Sequence, residues 1–245
     1  MYPGAVVETG AAALLFAVIF LAGGHIHPLR ALVRDRRTII SFGAGMSAAY
    51  VFVHVIPELQ GMRRVLTESA PWFTPLDGKG IYFLALVGFL VFYGIDHLRQ
   101  HLSGHHASGE TGSAFRVQVG GFAAYALLMA YLLVHDLEGN RVSTPIFAAA
   151  IAFHFLAVDH SLRGELGQAY DRVGRFVLAG SVLAGWGIGI LVTLPVYALA
   201  LSMAFISGAV IMNSALMELP SEKDGRFLPF VLGGVLYGLL LMLVG

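Results

Sequence analysis

The chain has no cysteine, which excludes disulfides, thiolate metal sites and cysteine nucleophiles and leaves the redox compartment open. It is also poor in charge. Asp, Glu, Lys and Arg make up 12% of 245 residues, where a soluble domain carries about 25%. Basic and acidic residues balance at 15 each, so there is no electrostatic footprint for nucleic acid. The first residues, MYPGAVVETG, lack a basic stretch and place Glu8 ahead of the apolar run, so no cleavable secretion signal is expected.

What the chain does have is apolar residues, at 57%, and 30 glycines. That pairing suits helices that approach backbone to backbone in lipid. A crossing takes about 20 mostly apolar residues. Eight segments qualify, which predicts an all-α integral membrane protein forming one domain over 1–245. They run roughly Ala5–Gly24, Ile39–Leu59, Gly80–Leu98, Val117–Val134, Pro145–Leu162, Phe176–Leu194, Pro195–Met217 and Phe227–Val244. Thr193-Leu194-Pro195 is all that separates the sixth from the seventh, so that connection is expected to be tight. With the N-terminus outside, only Arg63, Arg64, Lys79 and Arg141 fall in outer segments and all other Arg and Lys fall inside. Both termini then face away from the cytoplasm of an inner or plasma membrane. The segment 99–116 becomes a cytoplasmic loop, whose His101, His105 and His106 are candidates for loop metal contact or simply solvated.

Two helices echo each other. SFGAGMSAAYVFVHVIPEL (41–59) and AFISGAVIMNSALMELP (204–220) align with Phe42 on Phe205 and Gly45 on Gly208, and both reach an acidic residue and a proline near the end. One runs outward and the other inward in this topology. Such reversed copies mark inverted-repeat transporters, whose sites lie at mid-membrane between the repeats.

Ionisable residues inside spans are costly and raise a functional question by default. His54 and Glu58 lie four apart on one helical face, with Pro57 between them freeing the carbonyl of Val53. Imidazole, carboxylate and carbonyl suit a divalent cation such as zinc; two wet side chains at a helix end are the alternative. In AFHFLAVDH (152–160), His154 is mid-span, while Asp159 and His160 lie toward the inner mouth. Asp159 is about 140° round from His154, so one straight helix cannot gather all three on an ion. His154 bonded to a neighbouring helix is the alternative to a ligand role. Asp96 at the inner end of the third span and Glu218 at that of the seventh complete the candidate metal path, each with a plain interfacial alternative. Asn213 and Tyr125 are expected as polar contacts between helices.

The second helix, with its glycine-rich start and His54-x-x-Pro57-Glu58, resembles its counterpart in the ZIP (Zrt/Irt-like) divalent-metal transporters, and the last two helices look similar too. The resemblance implies eight spans, outward termini and a histidine-bearing inner loop. The family carries its transport site as His-Asn-x-Pro-Glu-Gly on the fourth helix and His-x-x-Pro-Glu on the fifth. This chain departs from both. Tyr125 stands for the first His, Ala126 for Asn and Met129 for Glu. In HFLAV (154–158), His154 is kept, but Ala157 replaces Pro and Val158 replaces Glu.

The leading expectation is a divergent permease that moves zinc or a similar ion by alternating access, performs no chemistry and needs no cofactor beyond the ion. A ZIP-shaped protein that does not transport is the close alternative: a subunit, sensor or pseudo-transporter. A homodimer suits both. An intramembrane zinc hydrolase would need three ligands around an activated water. Bis-histidine haem would need facing histidines at matched depth.

Overall fold

The computed structural model describes residues 3–25, 36–69, 78–104, 110–135, 144–215 and 226–244. Among these the chain is helical, without strands, and forms seven helices. Helix α1 is Pro3–Ala22, closed by a 3-10 turn, Gly23–His25. Helix α2 joins Arg36–Tyr50, a π-helical stretch Val51–Val55, and Ile56–Ser69. Next come α3 (Gly80–Gly104) and α4 (Glu110–Val134). Helix α5 has two limbs, Thr144–Ala169 and Arg175–Leu191, joined by the π-turn Tyr170–Gly174. The last two are α6 (Val196–Asn213) and α7 (Phe227–Val244). Six stretches are long and apolar enough to cross a membrane, and the shorter Phe227–Leu243 is apolar too. Large apolar side chains such as Phe83, Leu191, Phe227 and Leu243 point outward, as they do where lipid is the solvent.

Residues 99–104 and 110–116 of the expected loop are helical, because α3 runs on to Gly104 and α4 already begins at Glu110. Two other differences from the expected spans have local causes. Helix α2 does not stop at Leu59. Beyond it, Leu59, Met62 and Leu66 recur at helical spacing and are buried in a small cluster with Ile81, Ala85, Ala200 and Ala204. Upstream, Pro57 has no N–H to donate; the helix slips register, and the Ile56 N–H reaches the Val51 carbonyl.

The second difference lies between the fifth and sixth expected spans. Residues 163–174 read as a loop but are helical apart from Gly167, at φ 54° and ψ −130°. That backbone state suits glycine. Helix direction reverses around it. On the first limb Glu165 meets Gln118 and His154 meets Tyr125, a register antiparallel to α4. On the second limb Gly185 abuts Leu127 and Gly189 abuts Tyr131, a register parallel to α4. At the far end the second limb stops at Leu191, Val192 is extended, and Pro195 starts α6, with its carbonyl accepting from Ala198 and Leu199. Tyr131 straps this short connection: its hydroxyl donates to the Val192 carbonyl (3.1 Å) and accepts from the Leu194 N–H (3.1 Å).

Besides the Gly185–Leu127 approach of α5 to α4, glycines bring two further helix pairs into backbone contact. In the pair α2–α7, a Cβ on Gly45 would fall between the Phe230 carbonyl and the Gly234 N–H, and one on Gly233 would strike the Phe42 carbonyl. In the pair α6–α3, a Cβ on Gly208 would fall between the Ala85 carbonyl and the Phe89 N–H, and one on Gly88 would strike the Phe205 carbonyl. Phe42 and Gly45 thus do in one pair what Phe205 and Gly208 do in the other. Helices α2 and α6 run in opposite directions: Ser47 touches Ser214, while Leu59, Met62 and Leu66 lie with Ala200 and Ala204.

Candidate functional site

The centre of the main cluster holds a buried polar pair. Tyr125 of α4 and His154 of the first α5 limb share a hydrogen bond of 2.8 Å between the phenol oxygen and Nε2. His154 is 4% exposed and Tyr125 2%. Their rings sit among aromatics: Phe92 and Phe122 meet Tyr125 edge-on, and Phe155 contacts both rings. Helix α4 places Tyr125 here because Phe122, Tyr125, Ala126 and Met129 all lie on its buried face. Tyr125 is the residue that stands where the resemblance expects the first metal-binding histidine.

A second group lies on α2. His54 Nε2 and Glu58 are 3.5 Å apart, with side chains 30% and 15% exposed. Tyr50 stacks on His54 at 5.2 Å between ring centroids. Tyr50 is buried in the same core cluster as Tyr125 and Tyr237.

The acids of the other end are engaged by arginines. Asp159, 2% exposed, accepts from Arg163 (2.9 Å and 3.1 Å) and from the Tyr170 hydroxyl (2.7 Å). Arg163 also binds Asp171, reaches the Phe20 carbonyl, and lies over the Tyr170 ring. This hub ties the end of α1 to the first limb of α5 and to the π-turn that follows the Gly167 reversal. Glycine is required beside it, since a Cβ on Gly23 would overlap the Asp159 carboxylate. Asp96 pairs with Arg99 at 2.7 Å and accepts from Gln100. Arg99 also approaches Glu165 (3.4 Å), which accepts in turn from Ser161 and from the buried amide of Gln118.

The remaining candidates are dispersed. His160 and His101 are exposed. His105, His106 and Glu218 lie outside the described residues. Asn213 is fully buried, yet its carboxamide has no hydrogen-bond partner among the described residues, where a bond across helices was expected. The helical spacing allowed Arg163 to reach Asp159 at i+4, but Tyr170 and the Gln118–Glu165 bond were not picked out from sequence. Tyr170 follows Asp159 by 11 positions, which no helical spacing signals, and Gln118 reads as one more polar residue at a helix start.

Zinc takes about four N, O or S donors. The central pair offers one imidazole and one phenol, bonded to each other, with buried Met129 one turn along α4 from Tyr125. Among the described residues no three His, Asp or Glu side chains converge in a way that could hold a metal ion. Comparison with known proteins finds no matching family model, no matching curated protein and no matching solved structure.

Proposed function

We propose that this chain is a ZIP-like membrane protein of eight crossings, built as an inverted repeat, in which a tyrosine–histidine bond has taken over the central metal seat. It then works as a pseudo-transporter, subunit or sensor and passes no divalent ion through its middle.

Eight crossings are supported by the two limbs of α5, whose contacts with α4 run in opposite registers. The inverted repeat is supported by the matched glycine contacts on two antiparallel helices, in the register that aligns Phe42 with Phe205. With the Arg and Lys bias, both termini lie outside the cytoplasm.

The observation that carries the functional reading is the 2.8 Å bond between Tyr125 and His154 inside an aromatic shell. An imidazole committed to a phenol in a dry site is a helix-to-helix contact. Binding zinc there would break that bond and supply too few donors. The arginines act in the same sense. Arg163 sits on Asp159 and Asp171, and Arg99 on Asp96 and Glu165, so these acids already hold a tethered cation.

Uptake of zinc and cadmium into liposomes containing the purified protein tests this. Uptake equal to that of protein-free vesicles is expected; saturable uptake lost in His154→Ala would overturn it. The second reading, a divalent-ion permease, is favoured by one observation, the partly exposed His54–Glu58 pair where the π-distorted part of α2 gives way to regular helix. Under that reading His54→Ala would abolish uptake.

A further inference from the structure

The polar group that the reading above leaves unused is Asn213. It is fully buried, and neither the oxygen nor the nitrogen of its carboxamide meets a partner among the described residues. Burying both ends of an amide unpaired is unfavourable, and buried polar groups in folded proteins are met by protein or by bound water.

The residue next to it in the chain belongs to a polar contact between helices. The next residue, Ser214, shares a 2.6 Å hydroxyl–hydroxyl bond with Ser47 of the antiparallel α2. Only one of the two hydroxyl hydrogens is consumed by that bond, so the pair retains a donor. Residues 214–215 are π-helical, and so are 51–55, in the register that aligns Phe42 with Phe205. A π-turn widens the helix locally and recurs at functional sites. Asn213 thus lies where α6 loosens, and next in the chain to a residue that bonds across helices.

The chemistry selects the ligand class. The carboxamide oxygen accepts and the amino group donates. A bare cation would serve only the oxygen and an anion only the amino group. The named groups (one carboxamide and two hydroxyls) are all uncharged. We propose that buried Asn213, with Ser214 and its partner Ser47, seats one small uncharged ligand that both donates and accepts hydrogen bonds: water, or a solute of the amide class of similar size. This does not depend on whether divalent metal crosses the protein.

Hydroxyl-radical footprinting of the full-length protein in detergent tests the seat, because radicals formed from a bound water oxidise the side chains beside it. Met46 and Met212 immediately precede Ser47 and Asn213 and are 9% and 1% exposed. Met62, 2% exposed in the separate small cluster, is the internal control. Oxidation of Met212 or Met46 several-fold faster than Met62, and reduced to the Met62 rate in Asn213→Leu, is expected. If formamide, the smallest amide, suppresses that oxidation, the occupant is a displaceable solute site; if it has no effect, the occupant is water. Oxidation of Met46 and Met212 no faster than Met62 in the unmodified protein would overturn the proposal. So would an unchanged pattern in a folded Asn213→Leu protein.

Discussion

Gly45→Ala and Gly208→Ala are expected to destabilise the protein by matching amounts. In each a new methyl group would land between a carbonyl oxygen and the amide N–H one turn on: Phe230 and Gly234 for Gly45, Ala85 and Phe89 for Gly208. Backbone atoms cannot swing aside, so the helices must part. A gap of 0.5–1 Å forfeits roughly a quarter to a half of each dispersion well along the contact. Overpacking of this kind costs about 1–3 kcal/mol. For a chain of this length each kcal/mol lowers Tm by about 2–4 °C, so a fall of roughly 2–12 °C is expected for both variants. Gly43→Ala and Gly120→Ala are the controls, because a Cβ there meets no heavy atom, and alanine in a helix interior gains up to about 1 kcal/mol over glycine. Thermal unfolding in detergent, followed by circular dichroism, gives all four values. Matching losses at 45 and 208 with unchanged or raised controls support equivalent helix pairs. A tolerated Gly45→Ala beside a damaging Gly208→Ala would refute the equivalence, and so would controls that fall as far.

Three further outcomes are expected. Arg163→Ala strips a buried carboxylate, Asp159 at 2% exposure, of its cation and should cost about 3–5 kcal/mol, toward the lower end because Tyr170 still donates to it. Adding Asp159→Asn should recover part of that loss, and a double variant in which the two losses simply add would contradict the pairing. Tyr125→Phe keeps the ring and removes the hydroxyl that meets His154, so a loss of roughly 1–3 kcal/mol in denaturant unfolding is expected; a neutral effect would mean the bond is not formed. Gly167→Ala forces an L-residue to φ 54°, ψ −130° and should cost about 1–3 kcal/mol, whereas an unchanged Tm would show that the reversal relaxes without glycine.

Much of the fold was legible in the sequence because long apolar runs have one structural outcome. The run from Phe227 to Val244 is a helix with those ends, and the break before Pro195 falls where the missing N–H puts it. Gly45 and Gly208, which the alignment of Phe42 on Phe205 pairs, each meet the backbone of another helix, because glycine spacing dictates where backbones touch. The stretch DHSLRGELGQAYDRVGR was misleading for a physical reason. It is polar and so reads as a loop, yet its polar groups bond each other: Arg163 with Asp159 and Asp171, Tyr170 with Asp159. That lets the helices run on to a single glycine reversal. The site was half legible. His154 stood out as an ionisable residue in an apolar run, and Tyr125 as a departure from a motif. That the two bond depends on the register between α4 and α5, which neither helix encodes alone. Asn213 was expected to bond across helices, and spacing cannot reveal that it is the next residue, Ser214, that does so, with Ser47.

The central claim is that the His154 imidazole is committed to a phenol and not available to metal. Its most direct test is the nitrogen-15 NMR spectrum of histidine-labelled protein, with the His154 signals assigned by His154→Gln and recorded before and after adding zinc. The account predicts a hydrogen-bonded imidazole whose signals move in Tyr125→Phe and stay in place with zinc; a zinc-induced shift of the His154 ring nitrogens would contradict it.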